Sequence, residues 1–421
     1  MAVLVQKYGG SSVADADRVR RVATRVAASR RPGLGLVVVV SALGDSTDAL
    51  LGLAKAVAGT SHVPPREMDM LLATGEQVSV ALLAMALESL GVPAVSLTGR
   101  QAGIHTDGRH RNAAIVRVDT RRLERELARG RVAVVAGFQG HNRGETTTLG
   151  RGGSDLTAVA LASALHADRC EIYSDVEGVY TADPRIVREA RKLSAIAYEE
   201  MLELAALGAQ VLQRRSVEYA ERHAVVIEAR STFSDRPGTL VGGGTLLTRT
   251  RQSPITGLAL SKNVSRIAVR DIPDRPGVAA ALFSDLAREH IDVDMIIQTS
   301  GHDGRTVIAF TVSDEDSARA AELTERRATA LGGRLEGPSM ARAKVSAVGM
   351  GIRGEPGVAS TLFRALGQED INIEAIATSE IRISVLVPRE HAERALLALH
   401  RAFHLEQAVE DVLVADPDSA R

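Results

Sequence analysis

The feature that most constrains this chain is a repeat near its end. Pro276-Gly277-Val278-Ala279 recurs as Pro356-Gly357-Val358-Ala359, Leu282-Phe283 as Leu362-Phe363, and Ile291-Asp292-Val293-Asp294 as Ile371-Asn372-Ile373-Glu374, each at an offset of 80 residues. Two copies are too few for a solenoid. Each copy reads strand, Pro-Gly turn, helix, Asp- or Asn-marked turn, strand, so the pattern predicts two small α/β modules of about 70 residues. A glycine run, Val241-Gly242-Gly243-Gly244-Thr245, separates this tail from what precedes it.

The preceding residues alternate between strand and helix patterns. Residues 3–6 form a short apolar strand, followed by Gly9-Gly10-Ser11-Ser12. Val19, Val22, Ala23, Val26 and Ala27 then recur at helical spacing, with Asp15 and Asp17 at the helix start, where acidic charge suits the dipole. Residues 36–40 are continuously apolar, as in a strand buried on both faces. A turn over 41–46 precedes a helix reaching Val57. Residues 68–90 and 156–165 are helical, and 95–97, 132–138 and 171–174 are strands. This alternation predicts a mainly parallel sheet sandwiched by helices, with ligands at the carboxyl ends of the strands. The loops after Gln6, Val40, Phe138 and Ser174 are therefore the candidate site.

Composition removes other classes. With 51 basic and 52 acidic residues the net charge is −1, which argues against a nucleic-acid surface. The single cysteine, Cys170, excludes an internal disulfide and a multi-cysteine zinc site. The N-terminus lacks a signal-peptide pattern, and the longest apolar run, 34–40, is too short to span a bilayer. The expectation is a soluble, cytoplasmic protein with neither nucleic-acid nor membrane partners. Only five of the basic residues are lysine, so Lys7 inside a glycine motif stands out.

Four segments carry chemistry. Lys7-Tyr8-Gly9-Gly10-Ser11-Ser12 joins a strand to a helix: glycines let backbone N–H groups approach an anion, and Lys7 and the helix start add positive charge. That suits a phosphate, although it is not a Walker loop, and a plain strand–helix turn is the alternative. Thr146-Thr147-Thr148-Leu149-Gly150-Arg151-Gly152-Gly153-Ser154-Asp155 also precedes a helix. Arg151 could clamp a carboxylate, at about 1.5–3 kcal/mol for a charged hydrogen bond. Asp155 would order the donors around it, unless the loop is purely structural. Thr74-Gly75-Glu76 interrupts an apolar helix, so Glu76 either meets a substrate ammonium or is an ordinary exposed glutamate. In the segment from Ser174 to Arg185, Asp175 could accept from a ribose hydroxyl and Tyr180 pack on a base, or Gly178 and Pro184 mark a structural turn.

Taken in order, KYGGSS (7–12), Ser41-Ala42 with Thr47, Thr74-Gly75-Glu76, TTLGRGGSD (147–155) and SDVEGVYTADPR (174–185) resemble bacterial aspartate kinase, in its actinobacterial form, and the tail resembles that family's paired ACT domains. The resemblance implies an amino-acid-kinase fold over 1–245 and two ferredoxin-like ACT domains. The first would cover 264–337, and the second 255–263 with 338–421. It implies ATP-dependent phosphorylation of the L-aspartate β-carboxylate to 4-phospho-L-aspartate, the entry to lysine, threonine and methionine synthesis. Lys7, Gly9 and Gly10 would hold the transferred phosphate. Ser41, Thr47, Glu76, Arg151 and Ser154 would hold aspartate, and Asp155 would organise the site. Ser174, Asp175, Tyr180 and Arg185 would contact ATP. No protein metal site is implied, since Mg²⁺ would ride on the ATP phosphates.

The chain departs from the family at Gln210, which stands in Gly208-Ala209-Gln210-Val211-Leu212 where a phosphate-contacting lysine is usual. Arg214 and Arg215 are expected to supply the lost charge. By resemblance, amino-acid effectors, lysine or threonine, would bind at Asp274, Gly277, Val278, Ala279, Asp294 and Gln298 in the first copy. Asn372, Ile373, Ser379, Glu380 and Ser384 would serve in the second, and ACT pairing would make a homo-oligomer. Two other readings compete: a specialised-pathway paralogue with altered regulation, and a catalytically weakened amino-acid sensor, for which Gln210 is the only support.

Overall fold

The apolar runs read from the sequence become neighbouring strands. In the computed structural model, residues 1–59, 63–208, 211–243, 253–300 and 303–407 are described. The first half runs β1 (Ala2–Tyr8), α1 (Ala16–Ala28), β2 (Leu34–Val40), α2 (Ser46–Ala58), α3 (Pro65–Ser89), β3 (Ala94–Leu97), β4 (Ile104–Thr106), β5 (Ile115–Val118), α4 (Arg121–Ala128) and β6 (Val132–Ala136). It continues with β7 (Gln139–Asn142), β8 (Glu145–Thr148), α5 (Gly153–Ala164), β9 (Arg169–Ser174), β10 (Ala195–Ala197), α6 (Tyr198–Ala206), α7 (Arg214–His223), β11 (Ile227–Ser231) and β12 (Thr239–Gly242). An eight-stranded sheet has the order β10-β12-β11-β9-β1-β2-β6-β3, parallel except at β11–β12. Alternate residues of its central strands feed one core on each face, Val5, Val37 and Val135 on one and Leu4, Val38 and Val134 on the other.

Two local findings differ from the sequence reading. First, β1 continues through Lys7 and Tyr8, so Lys7 belongs to a strand rather than to a turn. Second, β5-β4-β7-β8 form a separate four-stranded sheet that the apolar pattern did not reveal, because these strands are short and rich in polar residues. Among the helices, α3 is long and apolar enough to cross a membrane by length and composition. Here it is a core helix, with Leu72, Val80, Leu83 and Leu87 buried. It also buries Asp69 and Glu76, which a lipid-facing helix would not tolerate.

The repeat folds into one sheet. It comprises β13 (Gly257–Pro273), α8 (Val278–Arg288), β14 (Ile296–Ser300), β15 (Arg305–Ser313), α9 (Ser317–Ala330), β16 (Arg334–Val348), α10 (Val358–Gln368), β17 (Ala375–Thr378), β18 (Arg382–Pro388) and α11 (Ala392–Ala402). The order is β14-β15-β13-β16-β18-β17. The long strands β13 and β16 pair along their lengths, with register shifts between Ser261 and Ala268. On either side of that irregularity lie separate cores, one around Leu282 and Phe310 and one around Leu362 and Val385. Both copies enter their first helix through a glycine at positive φ, Gly277 at 93° and Gly357 at 105°, which explains the repeated Pro-Gly.

Cys170 lies fully buried in β9, and desolvation pushes its thiol pKa well above the usual value. It is expected to resist a maleimide in the native protein and react stoichiometrically after denaturation, as read by intact mass. Rapid native labelling would contradict this packing.

Candidate active site

Four adjacent parallel strands, β9, β1, β2 and β6, end in register, with Tyr8 opposite both Tyr173 and Val40, and Val40 opposite Ala136. The chain leaves each strand still paired to its neighbour: Gly9 N donates to Tyr173 O (3.1 Å), Ser41 N to Tyr8 O (3.1 Å) and Gly137 N to Val40 O (3.0 Å). The four glycine- and serine-bearing loops therefore emerge side by side at the carboxyl edge. Gly10 allows a close approach, since a Cβ there would stand 3.0 Å from Ala42 O and 3.1 Å from Gly44 O and would push those backbone atoms back.

At the centre of this edge, Lys7 Nζ lies 2.5 Å from Asp155 Oδ1, and both residues are buried. Lys7 comes from β1. Asp155 comes from the first turn of α5, which opens on Gly152 at a left-handed φ of 71°. The Lys7 ammonium also sits 3.5 Å from where a Gly9 Cβ would be, so it overhangs the glycine backbone. Ser154 faces the end of β6, its Oγ 2.6 Å from a Cβ built on Gly137. A cation over glycine N–H groups at a helix N-terminus is an anion cradle.

Glu76 is buried to 3% exposure in the middle of α3. This removes the reading of it as an ordinary surface glutamate. Gly75 lets the helix close on the loop after β2, since a Cβ there would stand 2.9 Å from Ala42 Cβ. Glu76 Oε1 accepts from Ala42 N at 3.1 Å, whereas Oε2 is buried with no partner among the described residues. Desolvation pushes its pKa up to about 7, against the lowering effect of the backbone hydrogen bonds. Such a half-satisfied carboxylate suits an arriving ammonium. Ser41, next to the Ala42 that Glu76 bonds, and Thr47 in the first turn of α2 are half-buried. Arg151 is exposed, between Gly150 and Gly152 at positive φ, and makes no hydrogen bond or ion pair among the described residues.

The loop after β9 carries Ser174, half-buried, and Asp175, exposed. Ser174 O accepts from Thr232 N (2.8 Å), and Thr232 Oγ1 lies 2.6 Å from Ser12 Oγ, which joins this loop to the loop after β1. Tyr180 Oη contacts Glu177 Oε2 at 3.4 Å. Arg185 is exposed and doubly hydrogen-bonded to Asp183. Any nucleotide must therefore compete with Asp183 for it.

Gln210 lies outside the described residues, while Gln213, three residues on, packs under the Arg151 turn, its Cγ 2.4 Å from a Cβ built on Gly152. The two arginines expected to replace the missing charge have other work. Arg214 pairs with Glu218 (2.7 Å) one helical turn on. Arg215 donates to Leu149 O (2.5 Å), Asn112 Oδ1 (2.8 Å) and Ala113 O (3.3 Å). Arg215 thus fastens the Arg151 loop rather than reaching for phosphate.

In the tail, Gln298 Nε2 reaches Asp274 Oδ1 (3.4 Å), which brings those two candidates to one corner with the Gly277-Val278-Ala279 helix start. Asp294 sits apart, paired with Lys344 of β16. In the second copy Asn372 and Ser379 are exposed, Glu380 pairs with Arg353 (2.9 Å) and Ile373 packs on the core. Ser384 is buried, with its hydroxyl on Ser346 Oγ (2.8 Å), so it faces the sheet interior and not an open surface.

The sequence reading missed Asp69, His110 and the fastening role of Arg215. Asp69 had one signal: it stands seven residues before Glu76, two helical turns away on the same face of an apolar helix. His110 and Arg215 had none, because their partners lie across loops.

Since the buried Glu76 must ionise to meet an ammonium, kcat/KM for an ammonium-bearing substrate is expected to rise as pH increases through about 7. Glu76→Gln should raise that substrate's KM and abolish the ionisation. A flat profile through pH 6–8 in the unmodified protein would contradict the assignment.

The amino acid kinase family profile matches residues 2–228, and ACT domain profiles match 266–331 and 345–403. The aspartokinase of Mycobacterium tuberculosis (strain H37Rv) is 50% identical over 409 residues, covering 96% of this chain and 97% of its own. That of Thermus thermophilus is 50% identical over 412 residues, covering 97% and 100%. E. coli aspartokinase III in complex with lysine and aspartate superposes with a TM-score of 0.76 at 29% identity, covering 95% of this chain and 99% of that one. Sharing 50% identity with the first two over nearly its whole length, and carrying the kinase and paired ACT modules, the chain belongs to the aspartokinase family of ATP-dependent kinases.

Proposed function

We propose that this chain transfers the γ-phosphoryl group of ATP to the β-carboxylate of L-aspartate, giving 4-phospho-L-aspartate and ADP, in the cytoplasm. The observation that carries the reading is the half-satisfied Glu76 carboxylate, set beside the Lys7–Asp155 pair at one sheet edge. Glu76 takes the aspartate ammonium, and Arg151, with Ser41, Thr47 and Ser154, takes its carboxylates. A carboxylate oxygen attacks the γ-phosphorus, an O–P bond forms, and the bond to the ADP oxygen breaks. The acceptor is already ionised, so no general base is needed, and catalysis is positioning and charge neutralisation. Lys7 and the Gly9-Gly10 backbone face the charge on the transferred group, and Asp155 holds Lys7 in place. Ser174, Asp175, Tyr180 and Arg185 would take the nucleotide, and Gln210, outside the described residues, is assigned there by resemblance alone. Mg²⁺ would ride on the ATP phosphates as part of the nucleotide substrate, where it would screen their charge.

We further propose domain limits of 1–245, 264–337, and 255–263 with 338–421, the last two meeting where β13 and β16 lose register. Lysine or threonine would act at the ACT modules of a homo-oligomer. Contacts between the second module and the catalytic half give the route. Ala182 and Val187 of the nucleotide loop belong to the second module's core. Thr181 O accepts from Leu258 N (2.7 Å), and Thr181 Oγ1 lies 3.0 Å from Nε2 of the buried His400. On α6, which leads toward Gln210, Glu200 accepts from Met350 N (2.9 Å) and Thr256 Oγ1 (2.7 Å), and Glu203 pairs with Arg382 (2.9 Å). Couplings of about 1–3 kcal/mol suffice for useful inhibition.

The test is an ADP-release assay with ATP, Mg²⁺ and L-aspartate, with hydroxylamine trapping of the acyl phosphate, without and with lysine, threonine or both. Aspartate-dependent turnover is expected. No turnover with retained amino-acid binding by calorimetry would favour the sensor reading. Arg382→Ala should leave effector-free turnover within about twofold and raise the half-inhibitory effector concentration about fivefold, the equivalent of ~1 kcal/mol. An unchanged inhibition curve would remove this contact from the route.

A further inference from the structure

We propose that Asp69 is a positioning residue that fixes the distance between the two groups that read aspartate, Glu76 and Arg151. This rests on the reading of Arg151 as the carboxylate clamp. Asp69 is on α3, two turns before Glu76, and is fully buried. A buried carboxylate is tolerated only when its hydrogen bonds are made. Asp69 makes them across space rather than within its helix. Oδ1 accepts from Thr148 Oγ1 (2.6 Å) and Arg111 N (3.0 Å), and Oδ2 lies 2.7 Å from His110 Nδ1.

Both partner segments abut the Arg151 turn. Thr148 ends β8, three residues before Arg151, and its carbonyl accepts from Ala113 N (2.9 Å). Arg111 adopts a left-handed φ of 69°, and its carbonyl and Asn112 Oδ1 stand 3.1 and 3.0 Å from a Cβ built on Gly150. The turn is thus folded down on residues 111–112, of which Asp69 holds Arg111 through its backbone N–H. Arg215 secures the next stretch, donating to Asn112 Oδ1, Ala113 O and Leu149 O. One rigid helix therefore carries the ammonium-binding carboxylate directly and the carboxylate-binding arginine through Asp69. The spacing between the two is the ruler that an α-amino dicarboxylic acid must fit.

The test compares Asp69→Asn, Thr148→Val and Arg151→Ala in the full-length protein, measuring kcat, KM for aspartate, KM for ATP and Tm. Asn keeps the shape and one acceptor oxygen, so Asp69→Asn is expected to fold, but its amide nitrogen replaces an oxygen that accepts from Arg111 N (3.1 Å) and so sets donor against donor at the 110–111 segment. Misplacement of a binding group by an ångström is enough to cost about a hundredfold. Asp69→Asn should raise KM for aspartate at least about tenfold with KM for ATP within twofold, and Thr148→Val, lacking one donor, should do the same about threefold. A merely structural Asp69 would lower Tm and disturb both KM values together, and that result overturns the proposal. So does an aspartate KM within twofold of the unmodified value in both variants while Arg151→Ala raises it. If Arg151→Ala leaves the aspartate KM unchanged, the clamp reading itself falls, and this inference with it. Because Thr148→Val keeps Asp69 and its other partners, it decides the matter even if Asp69→Asn is unfolded.

Discussion

The buried Lys7–Asp155 ion pair is the interaction on which the rest of the site depends. It joins the central strand β1 to the first turn of α5, and so ties the glycine loop after one to the Arg151 loop before the other. Such a pair is a poor device for stability alone. Desolvation offsets most of its attraction, and only the removal of one partner is costly, at about 3–5 kcal/mol. Its place at the carboxyl end of a parallel sheet, over glycine backbone, fits a reaction whose barrier is charge.

The other parts are arranged around that pair by ordinary packing. Gly10 and Gly75 let β1, β2 and α3 approach closely enough for Glu76 to meet the backbone of Ala42. Burial then does chemistry. The same burial that raises the Glu76 pKa leaves one of its oxygens without a partner among the described residues. The loop after β9 is shared. Ala182 and Val187 are core residues of the second ACT module, so that module cannot shift without moving the loop.

Much of this was legible in the sequence because periodicity reports burial. The central strands are continuous apolar runs and α1 buries the residues its apolar spacing marks, whereas α2 buries none, and the loops after the central strands hold most of the candidate site. Lys7, Glu76, Arg151 and Asp155 stood out as candidates because polar residues there interrupt apolar or glycine patterns, and the structure brings Lys7 and Asp155 into contact. What was not legible has physical causes. Strands β4, β5, β7 and β8 are too short and polar to alternate visibly. Lys7 reads as a turn residue because strand ends are set by pairing with β2 and β9, not by propensity. Arg214 and Arg215 look like spare charge until their carbonyl and carboxylate partners, some about a hundred residues away, are placed. Asp69 is hidden for the same reason: its worth lies in partners across the fold.

The most direct test of the account is a crystal structure of the protein with ADP, Mg²⁺ and L-aspartate bound. The account predicts the aspartate ammonium on the free Glu76 oxygen, its α-carboxylate on Arg151, and its β-carboxylate turned toward Lys7 and the Gly9-Gly10 backbone. Aspartate bound away from Glu76, or a nucleotide phosphate held without Lys7, would contradict it.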